Sequence, residues 1–238
     1  MNFKESGKLK AITFSYDDGC VQDVRLIELL NKYGMKGTFN INSGLFGLGR
    51  VAVSDTNFRS IRYRLQEKDI QTAYEGHEIA GHTIGHPNLL EQDDAEVIRQ
   101  VEEDRLKLSE LAGYEVVGFA YTGGRGGAHY DDRVVDLLKN HTGIKYARVT
   151  KNIDSFDVQP DLYRFHPNIH DIYNPERNQR LIDQFFNTPT DKPQIMYIWG
   201  HTYELDMTCE GWTKMEELLA SIAYRDDVFY GTNKEVLL

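Results

Sequence analysis

Cysteine is nearly absent: Cys20 and Cys209 are the only two in 238 residues. They offer at most one bridge, so no disulfide framework is indicated. Basic charge is also short, with 27 Lys and Arg against 37 Asp and Glu, a net charge of −10. Such a chain repels a polyanion at long range, which argues against nucleic acid as a partner. No apolar run is long enough to span a bilayer. The opening segment, MNFKESGKLKAITF, lacks the basic stretch and following apolar run of an export signal. With Met1 as the natural start the protein reads as cytoplasmic; a signal peptide trimmed before Met1 makes it an exported one. Low-complexity segments, internal repeats and cofactor fingerprints are missing as well.

What is present is an ordinary globular balance, 40% hydrophobic and 27% charged residues. A chain of this size buries a core that needs no metal or disulfide merely to fold. Short β-type runs alternate with helical patterns throughout. KAITFSY is a strand, VQDVRLIELLNKYG a helix stopped at Gly34, and KGTFNIN a second strand, a βαβ opening. A loop-rich excursion follows from Ser43 to Ile61, placed on the rim where loops set specificity. DIQTAYEG is a short helix and HEIAGH a short strand. DDAEVIRQVEEDRLKLSELAG is the clearest helix, with Asp93 and Glu96 spaced as a capping box and Gly113 as its stop. Then come strand VVGFAY, helix DDRVVDLLKNH, strands IKYARV and LYRFHPNI, helix NPERNQRLIDQFF, strand QIMYIWGH, helix GWTKMEELLASIAYRD and strand VFYGTN. The class is α/β with a parallel sheet, and the number of units predicts a closed or nearly closed barrel, one domain over 1–238. A doubly wound open sheet is the competing architecture.

In such folds chemistry gathers at the carboxyl ends of the strands. Asp17 and Asp18, His82 and His86, and His201 all follow strands, so three distant clusters are expected on one rim. HTIGH sits among Gly81, Gly85 and Pro87, a turn rather than a helix interior. Two imidazoles and a carboxylate fill three positions of a Zn²⁺-type site and leave a fourth for water. The blander reading has both histidines capping local backbone, and the equally spaced His166 and His170 show how common the spacing is. In SYDDG an Asx-type turn competes with a division of labour, one carboxylate on metal and its neighbour on a proton. His201 is either a loop-bonded histidine or a general acid beside an aromatic wall of Trp199 and Tyr203. The glycines of YTGGRGG allow backbone N–H groups to approach a substrate oxygen.

Taken in order, TFSYDDG, GHEIAGHTIGHPNL, YIWGHTYEL and VFYGTN resemble the polysaccharide deacetylases of carbohydrate esterase family 4, the NodB-homology group. The resemblance implies a distorted (β/α) barrel of about seven parallel strands. It implies Asp18, His82 and His86 as ligands of a divalent metal, Zn²⁺ before other transition metals, with Asp17 as catalytic base and His201 as general acid. In the family's third motif, FAYTGG departs from the pattern: Ala120 stands where an arginine pairs with the base, Thr122 replaces proline, and Gly123 replaces tyrosine. The resemblance leaves the oxyanion N–H to Gly123. Arg125, Arg148 and Arg164 are the candidates to replace the arginine through space. The fourth motif is not recognisable in SFDVQPDLYRFHPNIH. The implied activity is metal-dependent hydrolysis of acetyl groups from N- or O-acetylated carbohydrate, with Trp199 and Tyr203 lining the pocket. The alternatives are a non-catalytic carbohydrate-binding protein on the same barrel and a hydrolase of other small amides.

Overall fold

The computed structural model describes residues 2–53, 59–124 and 127–238. In chain order its elements are β1 (Lys10–Asp17), α1 (Asp23–Lys32), β2 (Gly37–Ile41), β3 (Gly49–Val53), β4 (Arg59–Tyr63), α2 (Ile70–Ala73), β5 (Glu78–Gly81), α3 (Asp94–Ala112), β6 (Gly118–Ala120), β7 (Gly123–Gly124), β8 (Gly127–Ala128), α4 (Asp132–His141), β9 (Tyr146–Arg148), β10 (Ile169–His170), α5 (Pro175–Asn187), β11 (Gln194–Gly200), α6 (Gly211–Ile222), β12 (Val228–Tyr230) and α7 (Asn233–Leu237).

The main sheet runs β10-β11-β1-β2-β5-β6-β9, every pairing parallel. β12 shares an edge of β1 with β2, pairing Lys10–Ile12 while β2 pairs Phe14–Asp17. β1 is the centre of this arrangement because all eight of its residues are buried. That is why KAITFSYD reads as a continuous run rather than an alternation: a parallel strand is covered on both faces.

The ring closes through a single segment. The Phe165 N–H donates to Ala147 O on the β9 side, and three residues later the Asn168 N–H donates to Tyr197 O on β11. The fold is a distorted (β/α) barrel. The sequence reading of LYRFHPNI as one strand is corrected here. Its first half is a 3-10 turn, Leu162–Arg164, started by the Asp161 carboxylate, which accepts from the Tyr163 N–H. Pro167, with no N–H to give, separates that turn from the two-residue β10.

Two further differences matter. Where a loop-rich excursion was expected over Ser43–Ile61, an antiparallel pair of strands forms, β3–β4, which runs past Ile61 so that Arg50 faces Arg62 and Gly49 faces Tyr63. After β12 the chain adds α7, opened by a complete capping box of Thr232 and Glu235. At α3 only half the expected box forms: the Asp93 carboxylate accepts from the Glu96 N–H, while the Glu96 carboxylate turns to Arg99. Gly113 ends that helix at φ +74°, as expected. Cys20 is buried, Cys209 exposed, and both are free. Among the described residues no helix is long and apolar enough to cross a membrane.

Phe39 on β2 joins strands to helices, its ring 4.8 Å from Tyr74 and 6.3 Å from Tyr16, with no exposure. Truncating it removes both ring contacts and leaves a cavity. Phe39→Ala is expected to lower stability by about 3–5 kcal/mol in urea unfolding. A loss below about 1 kcal/mol, the range of surface changes, would place the core elsewhere.

Candidate active site

β1 delivers the two aspartates to the rim by ending at Asp17. Asp18 then takes φ +82° and Gly19 φ +62°, which turns the chain sharply out of the strand. Neighbouring strand residues point to opposite faces, so this turn is what lets both carboxylates look the same way. Left-handed backbone costs a non-glycine residue about 1 kcal/mol or more. Thr83 (φ +69°) and His86 (φ +59°) adopt it too, so the DDG and HTIGH turns both hold strain at the same rim. The glycine-to-proline context of HTIGH foretold a turn, and a turn it is.

Asp17 is 2% exposed and pairs with Arg148, whose single Nη2 lies 2.5 Å from both carboxylate oxygens while Nη1 donates to Val149 O. Arg148 is the last residue of β9, fully buried, with its guanidinium 4.5 Å from the centre of the Trp199 ring. Asn40 at the end of β2 donates to Asp17 Oδ1 at 2.8 Å. Burial opposes ionisation of Asp17 most strongly, but the charge and hydrogen bond of Arg148, joined by His82 and His201, together outweigh it and hold the carboxyl well below its ordinary 3.8. Of the three arginines considered from sequence, Arg148 therefore takes the place left open by Ala120. Arg164 pairs with Asp132 and Asp161, and Arg125 lies outside the described residues.

Asp18, His82 and His86 come together with donor atoms all within 4.8 Å of one another. His82 Nδ1 lies 2.8 Å from Ala120 O, so it carries the proton and leaves Nε2 as the free lone pair. Asp104 of α3 fixes this loop from beneath, accepting from the His82 N–H at 3.0 Å and the Ser43 N–H at 2.8 Å. Burial pushes His82 down to about 4 and His86 to about 3, so both imidazoles are neutral at pH 7. Neutral imidazoles beside a carboxylate fit a divalent cation. Two cations of the protein's own compete for the carboxylate. Arg64 donates to Asp18 Oδ1 at 2.7 Å, and Arg62 is bonded to Oδ2. Sequence reading assigned neither arginine; their R-x-R spacing on β4 and the following residue was the available signal.

His201 follows β11. Its Nε2 lies 3.9 Å from Asp17 Oδ2 and 3.9 Å from Asp18 Oδ2, and its Nδ1 is 3.1 Å from Glu204 Oε2. Burial lowers the His201 pKa, but Glu204 and Asp17 more than compensate and raise it above 6.5. Glu204, with His170 3.4 Å from the same Oε2, was missed from sequence, although it stands three residues after His201. Trp199 is 7% and Tyr203 9% exposed. Trp199 donates from Nε1 to Asn152 Oδ1, and Arg62 packs over the Tyr203 ring at 4.4 Å. Asp17, His82, His86, Gly123, Trp199, His201 and Tyr203 all line one cavity of about 670 Å³, and Asp18 lies just behind it, fully buried.

Residues 4–147 match the polysaccharide deacetylase family model. The chain belongs to the polysaccharide deacetylase family. Its fold is shared with the peptidoglycan deacetylase PdaC from Bacillus subtilis, at 16% identity, 96% of this chain, 90% of that one and a TM-score of 0.55. Puue allantoinase has the same fold at a TM-score of 0.68 and 12% identity, covering 96% of this chain and 88% of that one. A CE4-family pseudoenzyme from Bacillus anthracis aligns at 18% identity and a TM-score of 0.52, over 98% of this chain and 66% of that protein. This chain spans 39% of one matched protein and 90% of another. No match to a curated protein sequence was found.

The buried pair generates a stability prediction. Arg148→Met strands the Asp17 charge without its partner and is expected to cost about 3–5 kcal/mol at pH 7. A depressed folded pKa contributes stability above the ordinary 3.8 that is lost as pH falls toward the folded value. The gap between wild type and variant should therefore narrow as pH drops from 5 toward 3, which urea titrations at each pH would show. A gap that stays constant, or widens, contradicts the pairing.

Proposed function

We propose that the protein is a metal-dependent hydrolase that removes acetyl groups from N-acetylated or O-acetylated carbohydrate. One observation carries the reading: an ionised Asp17, clamped by Arg148, shares a cavity wall with His201 and faces the Asp18, His82 and His86 donors. The family and the CE4 fold support the reaction class.

In this reading Asp18, His82 and His86 would hold the divalent ion, Zn²⁺ first, once Arg62 gives up its bond to Asp18. When bound, the ion supplies Lewis acidity and lowers the pKa of a water. Asp17 takes a proton from the attacking water at its carboxylate. Asn40 and Arg148 hold that carboxylate in place, so little reorganisation accompanies the transfer. Gly123, on the cavity wall, would offer its N–H to the oxyanion that develops on the acetyl carbonyl; such a donor contributes about 3 kcal/mol. Protonated His201 then gives its Nε2 proton to the departing amine or alkoxide, while Glu204 at Nδ1 fixes the ring and stabilises its charge. Trp199 and Tyr203 supply the apolar wall for the acetyl methyl.

A second reading, a carbohydrate-binding protein without turnover, is favoured by the double arginine contact on Asp18, which mimics a bound cation. Metal analysis with acetate release from acetylated oligosaccharides separates the two. Expected are one tightly held divalent ion, acetate release abolished by chelation and restored by Zn²⁺, and a loss of about 10²–10⁴-fold in kcat/KM for Asp17→Asn. Retained metal with no turnover on any acetylated sugar supports the binding reading.

The His201–Glu204 contact sets the alkaline limb. Because His201 titrates above 6.5, kcat/KM should hold its plateau past that pH and fall as the proton leaves. Glu204→Gln removes the anion and should bring the limb down toward lower pH. An unmoved limb would show that Glu204 does not govern this proton.

A further inference from the structure

Beside the catalytic cavity lies a smaller one, about 270 Å³, whose wall includes Arg50, Arg62, Arg64 and His86. The two cavities share Arg50, Arg62 and His86, so a ligand in one reaches the other. Among the described residues no carboxylate lines the smaller cavity. In a chain of net charge −10 this is a local reversal of sign.

The hairpin places these arginines at a price that a neutral ligand does not explain. Arg50 and Arg62 are direct cross-strand partners, and like charges opposite each other destabilise an antiparallel pair. Arg62 is 6% and Arg64 7% exposed, and the Nε of each is buried without a hydrogen-bond partner. A buried donor left unpaired costs about 1–3 kcal/mol. Among the described residues Asp18 is the one carboxylate that bonds Arg62 and Arg64, through one oxygen each. Arg50 is exposed, and among the described residues it has no ion pair. Three guanidinium groups thus converge with one anion between them, and a divalent ion on Asp18 would raise the surplus further. A planar guanidinium fork matches an oxyanion in two hydrogen bonds.

We propose that this annex binds an oxyanionic substituent of the substrate, a carboxylate or a phosphate, held by Arg50 and Arg62 while the acetyl group occupies the main cavity. The inference rests on the deacetylase reading and narrows it to acidic acetylated carbohydrate.

The test uses N-acetylated oligosaccharides that are identical except at one C6 position: neutral hydroxymethyl, carboxylate, or phosphate ester. Metal-loaded protein is assayed for kcat/KM by acetate release, and where none turns over, the same three are titrated by calorimetry. At least a tenfold preference for the carboxylate or the phosphate over the neutral sugar is expected, and the larger of the two identifies the anion. Arg50→Gln and Arg62→Gln should each bring that ratio toward unity, with Arg50→Lys keeping part of it. The ratio is internal to each variant, so a partly unfolded preparation does not mimic the result. Raising KCl should shrink the preference as the annex is screened. Equal values for all three sugars, or a preference that survives both glutamine variants, overturns the proposal and leaves the deacetylase reading intact where acetate is released. A preference in binding with no acetate released from any sugar upholds the annex and sinks the deacetylase reading alone.

Discussion

A guanidinium with no exposure has to meet its counter-charge inside the protein, and Arg148 meets Asp17. That constraint organises the site. Arg148 ends β9 and Asp17 ends β1, so the pair bridges the rim between strands that three others separate in the sheet. Removing two charges from water is costly, and only near-ideal geometry offsets it. The Nη2 contact to both carboxylate oxygens, the Nη1 bond to Val149 O, the Asn40 donor and the Trp199 ring against the guanidinium offset it together. Strand lengths and the closing segment Phe165–His170 must then be right to within about an ångström, because a shift of that size breaks a 2.5 Å contact. The pair consequently acts on the fold and on the chemistry through the same atoms.

Around this pair the titratable groups are sorted by their environments. His82 and His86 are buried beside carboxylates, but desolvation outweighs their pull and both imidazoles stay neutral, as donors to a metal would have to be. His201 is buried too, but Glu204 tips it the other way and keeps a proton available near neutral pH. Asp17 is held ionised by Arg148. One rim therefore carries an ionised carboxylate, a histidine whose pKa is raised and two neutral imidazoles, the separation of pKa values that the proposed acid–base chemistry would need.

Much of this was legible in the residues. KAITFSYD, GTFNI and QIMYIWG are parallel strands because their apolar runs permit no exposed face, and the glycines around HTIGH marked a turn. DDG declared its bend through Gly19. The arginine was legible only as a set of three candidates, since a partner supplied from β9 instead of the strand bearing Ala120 is a relation in space that no local pattern encodes. Arg62 and Arg64 were hidden differently: R-x-R puts two side chains on one face of an extended chain, yet which face meets Asp18 depends on how the hairpin folds back. Glu204 and α7 were within reach, in HTYE and in the T-x-x-E of Thr232 and Glu235. The split of LYRFHPNI into a turn and a bridge needed only weight on Pro167.

The hairpin changes how the metal site has to be understood. Asp18 has two oxygens; Arg64 on one leaves the other for a cation, as a neighbouring hydrogen bond does for many ligating carboxylates. Arg62 is bonded to that other oxygen, so on the proposed reading a divalent ion would compete with it there. An oxyanion that draws Arg62 toward the proposed annex would weaken its hold on Asp18 and favour the ion, and by linkage the ion would favour the oxyanion in return. Arg62 is thus the side chain through which the two proposed sites would be coupled.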